Sequence, residues 1–501
     1  MRLIPRSRGG ALWRFTLASV LMIVSVAGAT AVAGLLQVQN IVDALKLSKG
    51  FSVAALSLPA PGQPQTILAI GSDRRANANT FGNTDTMMLV RLDASSSTIN
   101  VLSVPRDLQV NLPGYGINKL NAAFALGGPK LLVHTLQTQV FPGLVVNHIV
   151  VVTFGGFRKL VDAIGCVWGD VDHRYYNNTA LTNYSSIDIQ PGYQRMCNSD
   201  ALAFVRFRHT DSDIVRNARQ QDFIRWAKDN YGLGQLVANE NRLIRIFGKN
   251  SEVDTGLQSV DGLINLFNLI LNADGHTIKT IPFPYQFGQC NPVCYVYAQS
   301  AGAEQAALRA FLTPNRALAA PAGKPPSQHR RHGRGHSSWI VAGLTADPAD
   351  GRSQAGQVGN IGIPVYYPRL ILAGSGYCFS ITGNCDDPSE PATEYAHSYP
   401  RSYEIDAPGG PYPSYRMTLA VNSAFGWYYG IQGTTWRNPP LLAHPTQTET
   451  INGKRLEEFF NGGKLSVVAW RTPTGVYWVS NTLDDHIPNG QLKAIAASLT
   501  Q

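Results

Sequence analysis

Hydrophobic positions along this 501-residue chain follow three patterns. From Phe15 to Leu36 they form one run of 22 residues relieved only by Ser, Thr and Gly, long enough to cross a bilayer as a helix. From Thr66 the apolar runs shorten to strand length. TILAI (66–70), TMMLVRLD (86–93), TINVLSV (98–104) and NHIVVVTF are each bounded by turn residues and predict strands. INKLNAAFALGG, PKLLVHTLQTQVF, FRKLVDAIG, much of 222–272 and AEQAALRAFL carry helical spacing. A segment without periodicity, AAPAGKPPSQHRRHGRGHSS at 319–338, reads as a linker. Beyond Trp339 the strand pattern returns. KLSVVAWR and VYWVSNTL flank the turn Thr472–Gly475, RMTLAVNSAF is a further strand and QLKAIAAS a closing helix.

This order predicts an α/β fold built of α+β layers. A central mixed β-sheet flanked by helices occupies 66–318, and a smaller C-terminal α+β domain occupies 339–501. Ahead of them lie a basic tail (1–14), a transmembrane signal anchor (15–36) and a tether (37–65). Arg2, Arg6, Arg8 and Arg14 precede the apolar run, and no Lys or Arg follows before Lys46. The positive-inside rule therefore leaves the N-terminus cytoplasmic and exports the rest, a single-pass protein embedded in the cell membrane. Ala31-Val32-Ala33 offers a cleavage site as the alternative fate of the anchor. The net charge of +9 is modest and partly local to the tail and to Arg330, Arg331 and Arg334, so it gives nucleic-acid binding little support. Six cysteines fall into three near pairs, 166/197, 290/294 and 378/385. Pairing within each is the simplest of the possible connectivities and implies an oxidising, extracytoplasmic setting.

Candidate chemistry gathers in two places. The first is Phe204–Gln221, FVRFRHTDSDIVRNARQQ. Reading ALAFVRFR as a strand puts Arg206 and Arg208 on one face. Ser212 or Asp213 then caps a helix that carries Arg216, Arg219 and Gln220 on one side. So many guanidinium groups converging require an anion, and a phosphate suits them best. The second place is the edge shared by the first three strands. If those strands pair antiparallel, Asp73, Asp85 and Arg106 meet there, two carboxylates for a hard cation such as Mg²⁺ beside an arginine for phosphate. No zinc spacing, P-loop, G-x-G-x-x-G or G-x-S-x-G context is present, and His209 reads as structural. Trp427, Tyr428, Tyr429 and Trp436 read either as a sugar-stacking platform or as core.

GSDRR (71–75), NTDTMMLVRLD (83–93), LSVPRD (102–107), NKLNAAFALGG (118–128) and ALAFVRFRHTDSDIVRNARQQ (201–221) occur in the order seen in the LytR-CpsA-Psr (LCP) family, which the chain resembles over about 66–230. The resemblance implies a membrane-anchored phosphotransferase that moves a glycopolymer from a polyprenyl-pyrophosphate carrier onto peptidoglycan. It implies Mg²⁺ at Asp73 and Asp85, and pyrophosphate at Arg106, Arg206, Arg208, Arg216, Arg219 and Gln220. Asp213, Lys119 and Asn121 would complete the substrate site. Asp107 and Asp73 are candidate general bases. Two departures stand out: Asn83 where relatives often have Arg, and Ile214-Val215 where they have Phe-Gly. A polyprenyl-pyrophosphate phosphohydrolase and a non-enzymatic wall-binding or regulatory protein are the alternatives.

Overall fold

The structure, a computed structural model, describes residues 43, 49–57, 59–73, 81–179, 186–208, 211–231, 246–273, 276–290, 293–315, 342–379, 385 and 398–501. The predicted membrane span, the linker and His209 lie outside these residues. Among the described residues no helix is long and apolar enough to cross a membrane.

The first half is built on a seven-stranded mixed sheet. Its strands are β1 (Lys49–Phe51), β2 (Gln65–Ser72), β3 (Thr84–Leu92), β4 (Thr98–Ser103), β5 (His148–Thr153), β6 (Ser251–Asp254) and β7 (Thr277–Ile281), in the order β1-β6-β5-β2-β3-β4-β7. β2, β3 and β4 form an antiparallel meander, as their spacing predicts. β5 runs parallel to β2, and β7 parallel to β4. The ends of β2, β4 and β5 and the start of β3 therefore share one edge of the sheet, where the site lies.

Residues 49–51, within the predicted tether, form the edge strand β1 beside β6. β6 itself, SEVD, has too few apolar residues to read as a strand. It is held because buried Asp254 accepts the Ile149 N–H at 2.9 Å and lies 3.3 Å from His148 Nδ1.

Helix α1 (Leu120–Thr135) begins three residues later than INKLNAAFALGG predicts. Gly116–Lys119 instead pairs with Gln109–Leu112 as a hairpin. α1 kinks at Gly128-Pro129, where Pro cannot donate to the helix ladder. Gly128 has φ +61°, and a Cβ there would lie 2.6 Å from the Phe81 ring. Leu132, Val133 and Leu136 are wholly buried in the main core. α2 (Phe154–Ala163), α3 (Asn198–Arg206), α4 (Asp213–Asn230), α5 (Val260–Asn272) and α6 (Ala301–Leu312) complete this half.

α3 corrects the sequence reading. ALAFVRFR is a helix as far as Arg206 and not a strand. Its buried residues, Ala201, Phe204 and Val205, stand at i, i+3 and i+4, a helical period that the Val205/Phe207 alternation masks.

The C-terminal half centres on an antiparallel eight-stranded sheet: β8 (Gly376–Tyr377), β9 (Arg401–Ile405), β10 (Tyr412–Asn422), β11 (Trp427–Thr434), β12 (Gln447–Ile451), β13 (Lys454–Asn461), β14 (Lys464–Arg471) and β15 (Val476–Ser480). α7 (Pro348–Val358) and α8 (Asn489–Ala497) contribute Val358, Leu492 and Ile495 to the core on one face. The other face, with Val467, Ala469 and Trp478, packs on the first half through Tyr193, with Trp168 beside it. Trp168 and Tyr193 belong to the hairpin Val167–Val171/Gly192–Met196. Buried Asp170 ties the halves together, with Arg416 Nη1 on one oxygen and Trp478 Nε1 on the other, both at 2.9 Å. The aromatic platform is not assembled. Tyr428 and Tyr429 are buried, Trp436 packs 4.9 Å from Trp168, and Trp427 stacks on His486 at 3.7 Å.

All three cysteine pairs are disulfides: Cys166–Cys197, Cys290–Cys294 and Cys378–Cys385.

Candidate active site

The strand register decides where the first carboxylate goes. Along β2–β3, Gly71 faces Thr86 and Ser72 faces Thr84, so Asp85 is the extra residue of a β-bulge. Such a bulge interrupts pairing and re-aims the side chain it carries. Here it delivers Asp85 to the edge where β4 ends. Arg106, just beyond β4, bonds Asp85 Oδ1 through Nη1. Asp73 follows β2 and is exposed. Its Oδ1 accepts the Asn83 N–H at 2.7 Å, and its own N–H reaches the Asn83 carbonyl at 3.2 Å. Asn83 thus extends the ladder through its backbone.

The arginine-rich stretch closes over this edge as a helix, a turn and a second helix. Arg206 ends α3, where a cation suits the negative pole of the helix. Its Nε lies 3.5 Å from Asp85 Oδ2, and its guanidinium lies 4.0 Å over the Phe154 ring. Arg208, past the helix end, reaches Asp107 Oδ2 at 3.3 Å, and Lys119 Nζ holds Asp107 Oδ1 at 2.9 Å. Ser212, one of the two cap candidates, caps α4 by accepting the Val215 N–H. One turn in, Arg216 Nη2 donates to the Asp85 carbonyl at 2.6 Å and forms an ion pair with Asp213 Oδ1 at 2.5 Å. Asp213 Oδ2 accepts the Arg106 N–H at 3.2 Å. Burial dominates both members of the Asp213–Arg216 pair: it pushes the Asp213 carboxyl above its usual range and the Arg216 guanidinium below its own, against their mutual attraction.

Arg106, Lys119, Arg206, Arg208 and Arg216 thus face Asp85, Asp107 and Asp213, with exposed Asp73 at the same edge, five cationic groups against four carboxylates. The excess is open to solvent, with side-chain exposure of 37% at Arg206 and 28% at both Arg208 and Lys119. The Nε–H groups of Arg106 and Arg206 make no hydrogen bond among the described residues. Positive charge that protein carboxylates only partly neutralise is what a phosphate-bearing ligand requires.

Two expected ligand residues face elsewhere. Arg219 is wholly buried. It donates to the carbonyls of Phe204 and Phe207 at 3.2 and 3.0 Å, bonds Asp211, and lies 4.4 Å over the Tyr175 ring. Gln220 Nε2 donates to the Val205 carbonyl at 2.9 Å. These two brace the turn that presents Arg206 and Arg208. Asn121 is half-buried and meets the site through its backbone N–H, 3.0 Å from the Arg106 carbonyl. Phe154, beneath Arg206, escapes sequence reading. Only the parallel pairing of β5 with β2, Thr153 beside Ser72, brings it there.

Asp73 and Asp85 are a fair match for a hard divalent cation. Asp73, just past β2, is exposed, whereas both Asp85 oxygens also face Arg106 and Arg206, and Mg²⁺ typically takes only one or two carboxylates beside water and phosphate oxygens.

The departure at Ile214-Val215 also has a structural account. Val215 packs with Ala218 and Leu483, and a Cβ on Gly426 would lie 2.4 Å from Val215 Cγ1. The C-terminal half occupies the space beside this position.

The mixed sheet with helices on its faces and an arginine-lined edge defines an α/β protein. The chain belongs to the LytR_cpsA_psr family, whose model matches residues 35–310. It is 28% identical over 231 residues to the polyisoprenyl-teichoic acid–peptidoglycan teichoic acid transferase TagU of Oceanobacillus iheyensis, covering 43% of this chain and 69% of that one. It is 38% identical over 143 residues to the probable cell wall biosynthesis protein LcpB of Corynebacterium glutamicum, covering 28% of this chain and 33% of that one. Among solved structures, TagV of B. subtilis matches with a TM-score of 0.43 at 22% identity, covering 50% of this chain and 97% of that one.

Proposed function

We propose that this protein is a glycopolymer transferase of cell-wall assembly, anchored in the membrane with its catalytic half outside. Its reaction is phosphotransfer from a polyprenyl-pyrophosphate-linked glycopolymer to peptidoglycan. The observation that carries this reading is the partly exposed surplus of cations at the sheet edge, matched to a pyrophosphate. The names of the TagU and LcpB relatives agree with it.

In this reaction an acceptor hydroxyl attacks the phosphorus that bears the glycan and gives its proton to a carboxylate of the edge, for which Asp107 and Asp73 are the candidates. The new P–O bond forms as the bond to the bridging oxygen breaks, and polyprenyl phosphate departs. Catalysis of this kind depends on positioning and on neutralising charge over the phosphoryl oxygens. Arg106 and Arg206, tethered to Asp85, are oriented toward one phosphate. Arg208, held by Asp107, and Arg216, held by Asp213, supply charge from the other side. Lys119 completes the ring through Asp107. Asp73 and Asp85 would hold Mg²⁺, which supplies further neutralisation of the pyrophosphate charge when bound. A carboxylate that engages two arginines keeps their forks in place between turnovers, and substrate oxygens then compete for the outward N–H groups.

The test is incubation of the full chain with a lipid-linked donor and a soluble peptidoglycan fragment. Glycan–peptidoglycan conjugate is the expected product. Free glycan phosphate without conjugate would overturn the transferase reading in favour of hydrolysis.

A further inference from the structure

A second cleft opens next to the charged edge and shares none of its cations. Its volume is about 490 Å³, within the range of small-ligand sites. Four amide side chains line it, Gln109, Asn111, Gln139 and Gln286, together with Tyr297 and Glu304. Gln139 is spent on Asn111, accepting its backbone N–H at 2.9 Å and donating to its carbonyl at 2.6 Å, which holds that wall in place. The opposite wall is the hairpin Tyr285–Phe287/Val296–Ala298, closed by the Cys290–Cys294 disulfide. The Tyr297 ring packs against the Gly288 backbone, where a Cβ would stand 2.0 Å from it. Glu304 forms no ion pair among the described residues, and burial alone pushes its carboxyl up to about 7.

Backbone contacts join this cleft to the reaction centre. Gln109 pairs across its hairpin with Lys119, the residue whose ammonium holds Asp107. The Val296 N–H donates to the Asp107 carbonyl at 2.9 Å. The lining carries no cation for phosphate and too many amides for a lipid chain. Amides, an aromatic ring and an unpaired carboxyl, beside the aliphatic Ile117 and Ala298, match the hydroxyls and apolar faces of a neutral sugar.

We propose that this cleft is a saccharide subsite, which binds a neutral stretch of glycan and presents it to the edge around Asp107 and Arg208. Its placement beside that edge rests on the phosphotransferase reading; its binding of sugar does not.

The test is direct binding to the full chain in detergent, with a muropeptide disaccharide and chitotetraose as probes and a polyprenyl-pyrophosphate analogue as control. The unaltered chain should bind a saccharide probe. Gln286→Ala, at an exposed side chain, and Tyr297→Ala should each weaken that binding at least about fivefold and leave the analogue unaffected. An Arg206→Ala chain should lose the analogue and keep the saccharide. Failure of the unaltered chain to bind either saccharide, or unchanged saccharide affinity in both cleft variants, would overturn the proposal. Saccharide binding in a chain that makes no conjugate and ignores the analogue would sustain the cleft and sink the phosphotransferase reading.

Discussion

At the scale of single residues, the arginines of one short stretch divide into two kinds by what surrounds them. Arg206 and Arg208 are partly exposed and face carboxylates of the site, whereas Arg219 is sealed among carbonyls and rings. Arg206→Ala and Asp85→Ala should each reduce conjugate formation by about 10²–10³-fold, the scale of losing one charge-stabilising contact. Their thermal midpoints should stay close to that of the parent chain. Arg219→Ala should behave in the opposite way. It strands buried Asp211 and two carbonyls, so urea unfolding should report a loss of about 3–5 kcal/mol. The sequence shows the cluster and the residue types but not this division. Arg216 and Arg219 share a helix face on paper, yet a rotation of a fraction of a turn sends one to Asp85 and the other beneath α3. Asp85 illustrates the same limit. Its place at a strand start is legible, but the bulge that aims it exists only once β2 is alongside.

At the scale of elements, α4 connects the site to the rest of the molecule. Asp213 and Arg216 look into the charged edge. Val215, Ala218, Asp222, Arg225 and Trp226 turn toward the C-terminal half or line the cavity against it. Their spacing of three and four is a helix's buried stripe. Val215→Gly should cost about 1–3 kcal/mol in lost packing and about 1 kcal/mol more in helix propensity. Its urea midpoint and its turnover should fall together, because the first turn of α4 carries Arg216.

The same helix makes stability depend on pH. Burial pushes the Asp222 carboxyl from 3.8 up to about 8 in spite of Arg225 at 2.9 Å, with Asp484 and Asp485 close enough to add repulsion. The folded chain keeps this proton where the unfolded chain has released it. The contribution is therefore full below about pH 4 and declines as pH rises toward about 8. Urea unfolding across that range should show the decline, and Asp222→Asn should flatten it.

At the scale of the whole molecule, the C-terminal half acts as a second wall of the first. Trp168, Tyr193 and Val215 are covered by it, and Asp170 depends on Arg416 and Trp478 for both oxygens. A chain ending before residue 342 would leave that carboxylate unpaired and a broad aromatic patch open to water. Such a chain should aggregate on light scattering and lose its cooperative unfolding. The change of composition at 319–338 is easy to read along the chain. The contact between the halves is not, since nothing along the chain shows that VWGDV and its partner strand are covered by a sheet more than 200 residues away.

What the sequence determined by itself is local or pairwise in character: the meander of β2, β3 and β4, a helix start at Ser212-Asp213, the three disulfides between neighbouring cysteines, and the identity of the charged residues. Each follows from short-range spacing, where hydrophobic period and turn chemistry act directly. Tertiary structure alone decided that ALAFVR is helical, that Phe154 lies under Arg206, that Arg219 braces, and that Val215 faces Gly426. Those outcomes depend on which surfaces are buried against which. Burial is a property of contacts between distant segments, and no window of sequence contains it.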